Sequence, residues 1–380
     1  MDIRLTDSQR AYRETARQFT ARELAPWAAR IDREGVTPPS VLNVIRGCGF
    51  LGAALPQDKG GGGIDEVSYG ILTEEVGRVC SSTRSLMTVH NMSAQAIARF
   101  GDHEQQERWL PDLCSGRKVV AFALSEPEVG SAADAIETKA TSDGNAFRVS
   151  GTKKWITYGL IADLFVVFAK LEGAPIALVV DRDSEGLRIE PVTDIFGVRG
   201  SMLAQLHFDE VRVRKERQLG RVGMGIRFVA NVALDHGRFS VAWGSTGIIQ
   251  ACLDACVAYS EQRRQAGRRL KDFQLIRRQL ANMLVDHTAS RALCYRSACL
   301  RQRRAPQATM ETSLAKYHAS MAAIRAATNA VHMHGANGCS GEYPVDRYLR
   351  DATVSGIVEG THEIHQLALA SYALRRPYLD

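Results

Sequence analysis

An interruption in the helical texture constrains this chain more than any other feature. Residues 119–124, 147–149, 164–168, 176–180 and 205–208 are short runs rich in β-branched and aromatic residues. Turn signals such as Asp143-Gly144-Asn145 and Ser184-Glu185-Gly186 separate them, and no helical periodicity lies between any two. Parallel βαβ strands need helical crossovers, so the pattern predicts an antiparallel sheet or barrel. On either side the apolar spacing is helical. A chain of 380 residues exceeds one typical domain. The expectation is mainly α with a central β domain: an N-terminal α-helical domain (1–118), a middle antiparallel β-barrel (119–222) and a C-terminal four-helix bundle (223–380).

The flanks carry their own punctuation. Thr6 or Asp7 can cap a first helix through Tyr12, Ala16 and Phe19, which Pro26 interrupts or kinks. Pro38-Pro39 opens a short helix that Gly49 can close. Gly60 to Gly63 follow Lys59, but no strand precedes them and the Gly-Lys-Ser/Thr order of a P-loop is missing. They read as a flexible surface turn. Helices over 65–80, about 83–100 and 104–113 complete this half. Beyond Gly225, long amphipathic stretches cover 247–264, 273–301 and 312–334, lengths that suggest a bundle. Gly223-Met224-Gly225 lacks the third glycine and the strand of a dinucleotide fingerprint.

Composition narrows the function classes. No apolar run approaches a membrane span and Met1-Asp2-Ile3-Arg4 is no signal peptide, so the expectation is a cytoplasmic protein without a membrane partner. The 8 cysteines are scattered without a Cys-x-x-Cys pair and read as buried thiols, neither disulfides nor a metal site. The net charge of +6 comes mostly from arginine. Arg263, Arg264, Arg268, Arg269, Arg301, Arg303 and Arg304 follow helices without interleaved aromatics, so no nucleic-acid partner is expected. A phosphate-rich cofactor or an acidic carrier protein would suit them.

Near the end, Val354-Ser355-Gly356-Ile357-Val358 leads into Glu359-Gly360-Thr361. Thr361 is a good N-cap, and Ile364, Leu367, Ala368 and Tyr372 then repeat as a helix. Glu359 therefore falls on a turn between helices. A carboxylate there is either a base aimed into a pocket or an acid favoured by a helix start.

Five motifs in register resemble the acyl-CoA dehydrogenases, FAD-dependent enzymes that desaturate acyl thioesters between the α and β carbons. They are Ser125-Glu126-Pro127-Glu128-Val129-Gly130-Ser131, Gly151-Thr152-Lys153-Lys154-Trp155-Ile156-Thr157, Arg263-Arg264-Gln265-Ala266-Gly267, Tyr343-Pro344-Val345-Asp346-Arg347 and Glu359-Gly360-Thr361. The resemblance covers the whole length. It implies the same order of domains, with flavin between the barrel and the C-terminal helices.

The resemblance also implies roles. Glu359 would be the base, with its backbone N–H and a ribityl hydroxyl of FAD receiving the thioester oxygen. In relatives that carry the base elsewhere the position is Gly237 here, before Arg238. Phe122, Leu124, Ser125, Trp155 and Thr157 would face the flavin. His332, Ala336, Thr361 and Glu363 would also contact FAD, while Arg263 would reach the cofactor of a neighbouring subunit, which implies a homodimer or homotetramer. Ala266 stands where the family has Phe, His332 where Gln is common, and Tyr158 where Asn is usual. Ser131, Asp235, Arg238 and Gly360 would contact the substrate.

Stretches around Arg84, Ala162, Trp243 and His362 are similar to the glutaryl-CoA dehydrogenase branch, in which the Arg matching Arg84, helped by Ser85, binds a distal carboxylate. Its companion Glu is replaced by Gly77. The His362 and His365 flank then ties the Glu359 turn to Arg84 as two halves of a pocket for a polar acyl chain. Similar dehydrogenases oxidise extender units on acyl carrier protein in polyketide biosynthesis. The expectation is thus dehydrogenation of a short, polar or carboxylated thioester of CoA or acyl carrier protein, with an electron-accepting flavoprotein or oxygen as oxidant. A flavin oxidase or monooxygenase on this fold and a non-catalytic thioester-binding protein are the alternatives.

Overall fold

The computed structural model describes residues 4–375. Met1 to Ile3, on which the signal-peptide expectation rests, and residues 376–380 of the C-terminal region lie outside them. Helices α1 (Asp7–Glu23) and α2 (Ala25–Glu34) are separated at Leu24, with Pro26 in the first turn of α2. Thr6 and Gln9 close a reciprocal capping box on α1. Helices α3 (Pro39–Gly47), α4 (Glu66–Val79), α5 (Ser81–Phe100) and α6 (His103–Cys114) follow. The Gly60–Gly63 segment is not a loose turn. Gly61 and Gly63 donate to the Pro56 and Leu55 carbonyls, and a Cβ on Gly61 would lie 2.2 Å from the Leu55 oxygen.

The strands are β1 (Val120–Ala123), β2 (Lys139–Asp143), β3 (Ala146–Ile156), β4 (Leu164–Leu171), β5 (Ala174–Asp181), β6 (Leu187–Pro191), β7 (Ala204–Arg214) and β8 (Gln218–Leu219). They form one sheet in the order β6-β7-β3-β2-β4-β5-β8, with β1 also on β4. Two features correct the expected barrel. The sheet does not close, because β6 and β8 end it without pairing to each other. Nor is it purely antiparallel. β1 and β2 both run parallel to β4, end to end along one of its edges. The rule that parallel strands need a helical crossover fails because the β2–β3 hairpin itself serves as the crossover between β1 and β4.

The C-terminal region holds α7 (Asn231–Gln262), α8 (Gln274–Gln302), α9 (Ala308–His334), α10 (Val345–Ser355) and α11 (His362–Arg375), with a small exposed hairpin of β9 (Arg264–Gln265) and β10 (Arg268–Arg269) between α7 and α8. Helix α7 starts well before the stretch read from periodicity. Gly237, Gly244 and Gly247 blurred its pattern, and each is a close-approach site. Added Cβ atoms would meet the Glu359 carboxylate at 2.4 Å, Arg84 Cδ at 2.2 Å and the Glu74 carbonyl at 2.3 Å. Alanines Ala315, Ala319, Ala322, Ala323, Ala326 and Ala330 are all buried on α9, where small side chains let the bundle helices pack closely. Contrary to the sequence reading, the segment Gly225–Gln262 is long and apolar enough to cross a membrane. Its most apolar window is 67% buried inside the protein, as in a core helix.

One apolar cluster takes Leu24 and Ile45 from the first helices, Phe165 and Leu178 from the sheet, and Phe239 and Trp243 from α7. The three regions therefore share a core, which fixes loops from distant parts of the chain against one another.

Candidate active site

The site is built where α7, α9 and the turn between α10 and α11 meet. Glu359 adopts the left-handed conformation, φ +57°, and Gly360 follows at φ +95°. For a residue with a Cβ this backbone is uncommon and needs external support. Arg238 Nε donates to the Glu359 carbonyl at 3.2 Å, and His365 Nε2 lies 3.2 Å from the same oxygen. Lys316 Nζ donates to the Gly360 carbonyl at 2.6 Å. With the carbonyls held outward, the carboxylate turns onto the bare backbone of Gly237. A Cβ there would overlap it, which explains why the helix carries glycine at that position.

Oε2 of Glu359 is buried and has no hydrogen-bond partner. Its backbone N–H donates to no protein group among the described residues. Burial pushes the carboxyl up to about 7, against the opposing charges of Arg238, Lys316 and Arg84. An unpartnered carboxyl that titrates near neutrality is poised to accept a proton.

Arg84 is 6% exposed on α5, and its stem threads between Gly77 and Gly244. Nη1 donates to Thr88 Oγ1 at 2.9 Å, and that hydroxyl is 2.7 Å from Ser240. No carboxylate forms an ion pair with it among the described residues. Burial pushes its pKa down, opposed most by the charge of Glu359, so the two groups share one electrostatic site. Gly77, where the resemblance implies a glutamate, leaves room for the arginine instead of pairing it. Ser85 is turned away, donating to the Ser82 carbonyl at 2.7 Å.

The histidine flank behaves differently from expectation. His362 Nε2 meets Ser320 Oγ at 2.8 Å, and His365 meets the Glu359 carbonyl. Both brace the turn from behind; neither joins Arg84 in a pocket. Asp235 pairs with Arg301, which also binds Glu66, and its Oδ1 remains buried and unpartnered.

On the sheet side, Trp155 is 51% exposed at φ +65°, so it is no core tryptophan. Ser125 and Thr157 are half-buried nearby in sequence and accept or donate no side-chain hydrogen bond among the described residues. Phe122 packs against Phe168, the ring centroids 4.9 Å apart and the planes tilted by 58°. The Leu124 carbonyl is already taken by Lys153 Nζ at 3.0 Å. Tyr158 does not face this surface. Its hydroxyl is buried 2.8 Å from Thr37 and donates to the Ser82 carbonyl, tying the sheet to the N-terminal helices. Ser131, Arg263, His332, Ala336 and Glu363 are exposed, and Thr361 caps α11 through Ile364 N.

Residues 6–117, 121–211 and 223–374 match the N-terminal, middle and C-terminal domain profiles of acyl-CoA dehydrogenase. The chain belongs to the acyl-CoA dehydrogenase family. It is 36% identical over 379 residues to the mitochondrial short-chain specific acyl-CoA dehydrogenase of Mus musculus, covering 98% of this chain and 92% of that one. Among solved structures, glutaryl-coenzyme A dehydrogenase in its glutaryl-CoA complex superposes with a TM-score of 0.93 at 30% identity, covering 99% of this chain and 98% of that one. A prolyl acyl carrier protein oxidase superposes with a TM-score of 0.92 at 26% identity, covering 97% and 100%. As an acyl-CoA dehydrogenase the protein is an FAD-dependent oxidoreductase acting on CH–CH donors.

Sequence reading of this dehydrogenase missed three groups. Lys316 is fully buried in the middle of α9, where an alanine-rich pattern hides it. Lys153 and Glu126, from two successive motifs, form a buried ion pair at 2.7 Å, and Glu126 also accepts from Glu137 N, Thr138 N and Thr138 Oγ1. Reciprocal buried charges in two successive motifs were the available signal. His236, buried and stacked on Tyr69 at 4.7 Å, leaves Nε2 unpartnered. Burial pushes it down to about 3, so it is neutral.

Proposed function

We propose that this dehydrogenase removes the α-proton of a short acyl thioester with Glu359 as base, and that the acyl group carries a polar or anionic end recognised by Arg84. The observation that carries the reading is the unpartnered Glu359 carboxylate, its Oε2 buried and lodged against Gly237. A thioester α-hydrogen is a weak acid, so the base must be fixed and the forming enolate oxygen must find a donor. The free N–H of Glu359 is suited to that oxygen, because the αL turn presents N–H and carboxylate together. Burial of the carboxylate raises its affinity for the proton.

The residues fit FAD. An exposed tryptophan held in a left-handed conformation offers a flat face, Ser125 and Thr157 offer free hydroxyls, and Arg263 is exposed without an ion pair among the described residues. Phe122, Leu124, Ser125, Trp155 and Thr157 would hold the ring. His332, Ala336, Thr361 and Glu363 would contact the cofactor, and Arg263 would reach that of a second subunit. Bound FAD supplies at N5 the acceptor for the hydride that leaves the β carbon.

Arg84 supports the polar acyl end. A buried guanidinium whose side-chain hydrogen bond among the described residues goes to a threonine hydroxyl, with no ion pair, is costly unless a ligand anion or dipole completes it. The Arg-rich exposed hairpin of β9 and β10 favours a second reading of the carrier, an acidic acyl carrier protein in place of CoA. The short-chain relative favours CoA. An electron-accepting flavoprotein, or oxygen, would take the electrons onward.

Anaerobic titration of the yellow holoenzyme with butyryl-CoA, glutaryl-CoA and hydroxyacyl groups on CoA and on acyl carrier protein tests the assignment. Flavin bleaching is expected with a polar short-chain thioester. Glu359→Gln is expected to retain flavin and lose bleaching by at least a thousandfold in rate; full bleaching by this variant would remove Glu359 from the role.

A further inference from the structure

We propose that Lys316 is a positioning residue for Glu359: its ammonium, seated on the Gly360 carbonyl, holds the turn that aims the carboxylate and supplies the positive charge that keeps the carboxylate available as a base. This rests on the reading of Glu359 as the base.

Lys316 is 0% exposed, and no carboxylate forms an ion pair with it among the described residues. An ammonium buried this way is expensive, and a Met would fill the same volume without the charge. Its position on α9, flanked by buried Ala315 and Ala319, therefore calls for a use of the charge. The turn supplies one. Arg238 and His365 both act on the Glu359 carbonyl, whereas Lys316 acts on the Gly360 carbonyl at 2.6 Å. Together they fix the peptide planes on both sides of Gly360, and so the direction in which the Glu359 side chain leaves the backbone. A left-handed non-glycine residue persists only when its surroundings over-determine it.

The charges around the carboxylate come from every neighbouring element. Arg84 faces it from α5, Arg238 from α7, Lys316 from α9, and Glu363, His362 and His365 lie on α11, while Asp351 of α10 acts on Arg84. Glu359 and Lys316 oppose each other's desolvation. Lys316 is pushed down to about 7 by burial and held up mainly by Glu359. Without the ammonium, the carboxylate would be compensated by Arg238 and Arg84 alone.

The test uses the flavin-loaded Lys316→Met and Lys316→Gln variants. The infrared band of the protonated Glu359 carboxyl, isolated by subtracting Glu359→Gln, is titrated with pH and needs no substrate. Its midpoint is expected to move up by about one pH unit in both variants. Turnover of the thioester that bleaches wild type is then read with an artificial one-electron acceptor. Lys316→Met is expected to lose at least tenfold in kcat at the alkaline plateau with KM within about threefold. Lys316→Gln, which can still donate to the Gly360 carbonyl, is expected to recover most of that loss. An unshifted band, or an unchanged kcat in Lys316→Met, overturns the proposal. Should Lys316→Met fail to fold, the band midpoint in Lys316→Gln decides alone. If Glu359→Gln itself bleaches, the base assignment falls; if it is inactive while the Lys316 variants match wild type, only this proposal falls.

Discussion

At the scale of single residues, Glu359 and Gly237 form one unit. The carboxyl is raised from 4.5 to about 7, chiefly by burial. The fraction able to accept a proton therefore grows with pH, and kcat is expected to rise through an acid limb near pH 7. The folded state holds this proton more tightly than the unfolded chain. Stability from the group is full below about 4.5 and drains away up to about 7. Glu359→Gln, always neutral, is expected to match wild type near pH 4.5 and to exceed it by roughly 1–3 kcal/mol at pH 8, as read by thermal melts at both pH values. Gly237→Ala adds a Cβ 2.4 Å from Oε2. Because the far end of a flexible side chain can move aside, melting should change little while kcat falls at least tenfold. Arg84→Ala is expected to slow a carboxylated thioester such as glutaryl-CoA at least tenfold more than butyryl-CoA; equal losses would exclude the anionic end from its partners.

At the scale of elements, the loop between β1 and β2 depends on two buried charges. Lys153 is 0% exposed and Glu126 5%. The ion pair reaches the Leu124 carbonyl as well, so it shapes the strand end that precedes Ser125. Removing one partner of such a pair costs about 3–5 kcal/mol, because it strands the other. Glu126→Gln is expected to lose stability on that scale in denaturant melts and to purify with less flavin. The double variant Glu126→Gln/Lys153→Met should be less damaged than the single one. Element ends were readable where local chemistry sets them, as in the Thr6 and Thr361 caps. Helix α7 is longer than its periodicity implies because its glycines serve neighbours and not the helix.

At the scale of the whole molecule, one shared core joins helices and sheet, and the hairpin of β9 and β10 projects from it with Arg263 at its base. If Arg263 completes the cofactor site of another subunit, Arg263→Ala should leave the circular dichroism spectrum intact. The dissociation constant for FAD should rise at least tenfold, more steeply on dilution than in wild type. An unchanged FAD affinity at all protein concentrations would remove the cross-subunit role. The sheet shows where sequence reading stops at this scale. Period-two runs identify strands, but strand direction depends on β1 and β2 both pairing with β4, and closure on whether the end strands β6 and β8 meet.

By itself the sequence determined the order of helical, β and helical regions, the caps, the family motifs and the turn that carries Glu359, because each is written in residues a few positions apart. The tertiary structure decided that the sheet stays open, that Tyr158 turns into the N-terminal helices, and that His362 and His365 brace the turn instead of lining a pocket. It also decided that a lysine of α9 sits on the Gly360 carbonyl and that Gly237 makes room for the carboxylate. The contacts of Tyr158, His362, Lys316 and Gly237 join segments 40 to more than 100 positions apart, where desolvation and close packing select one arrangement that no local pattern encodes.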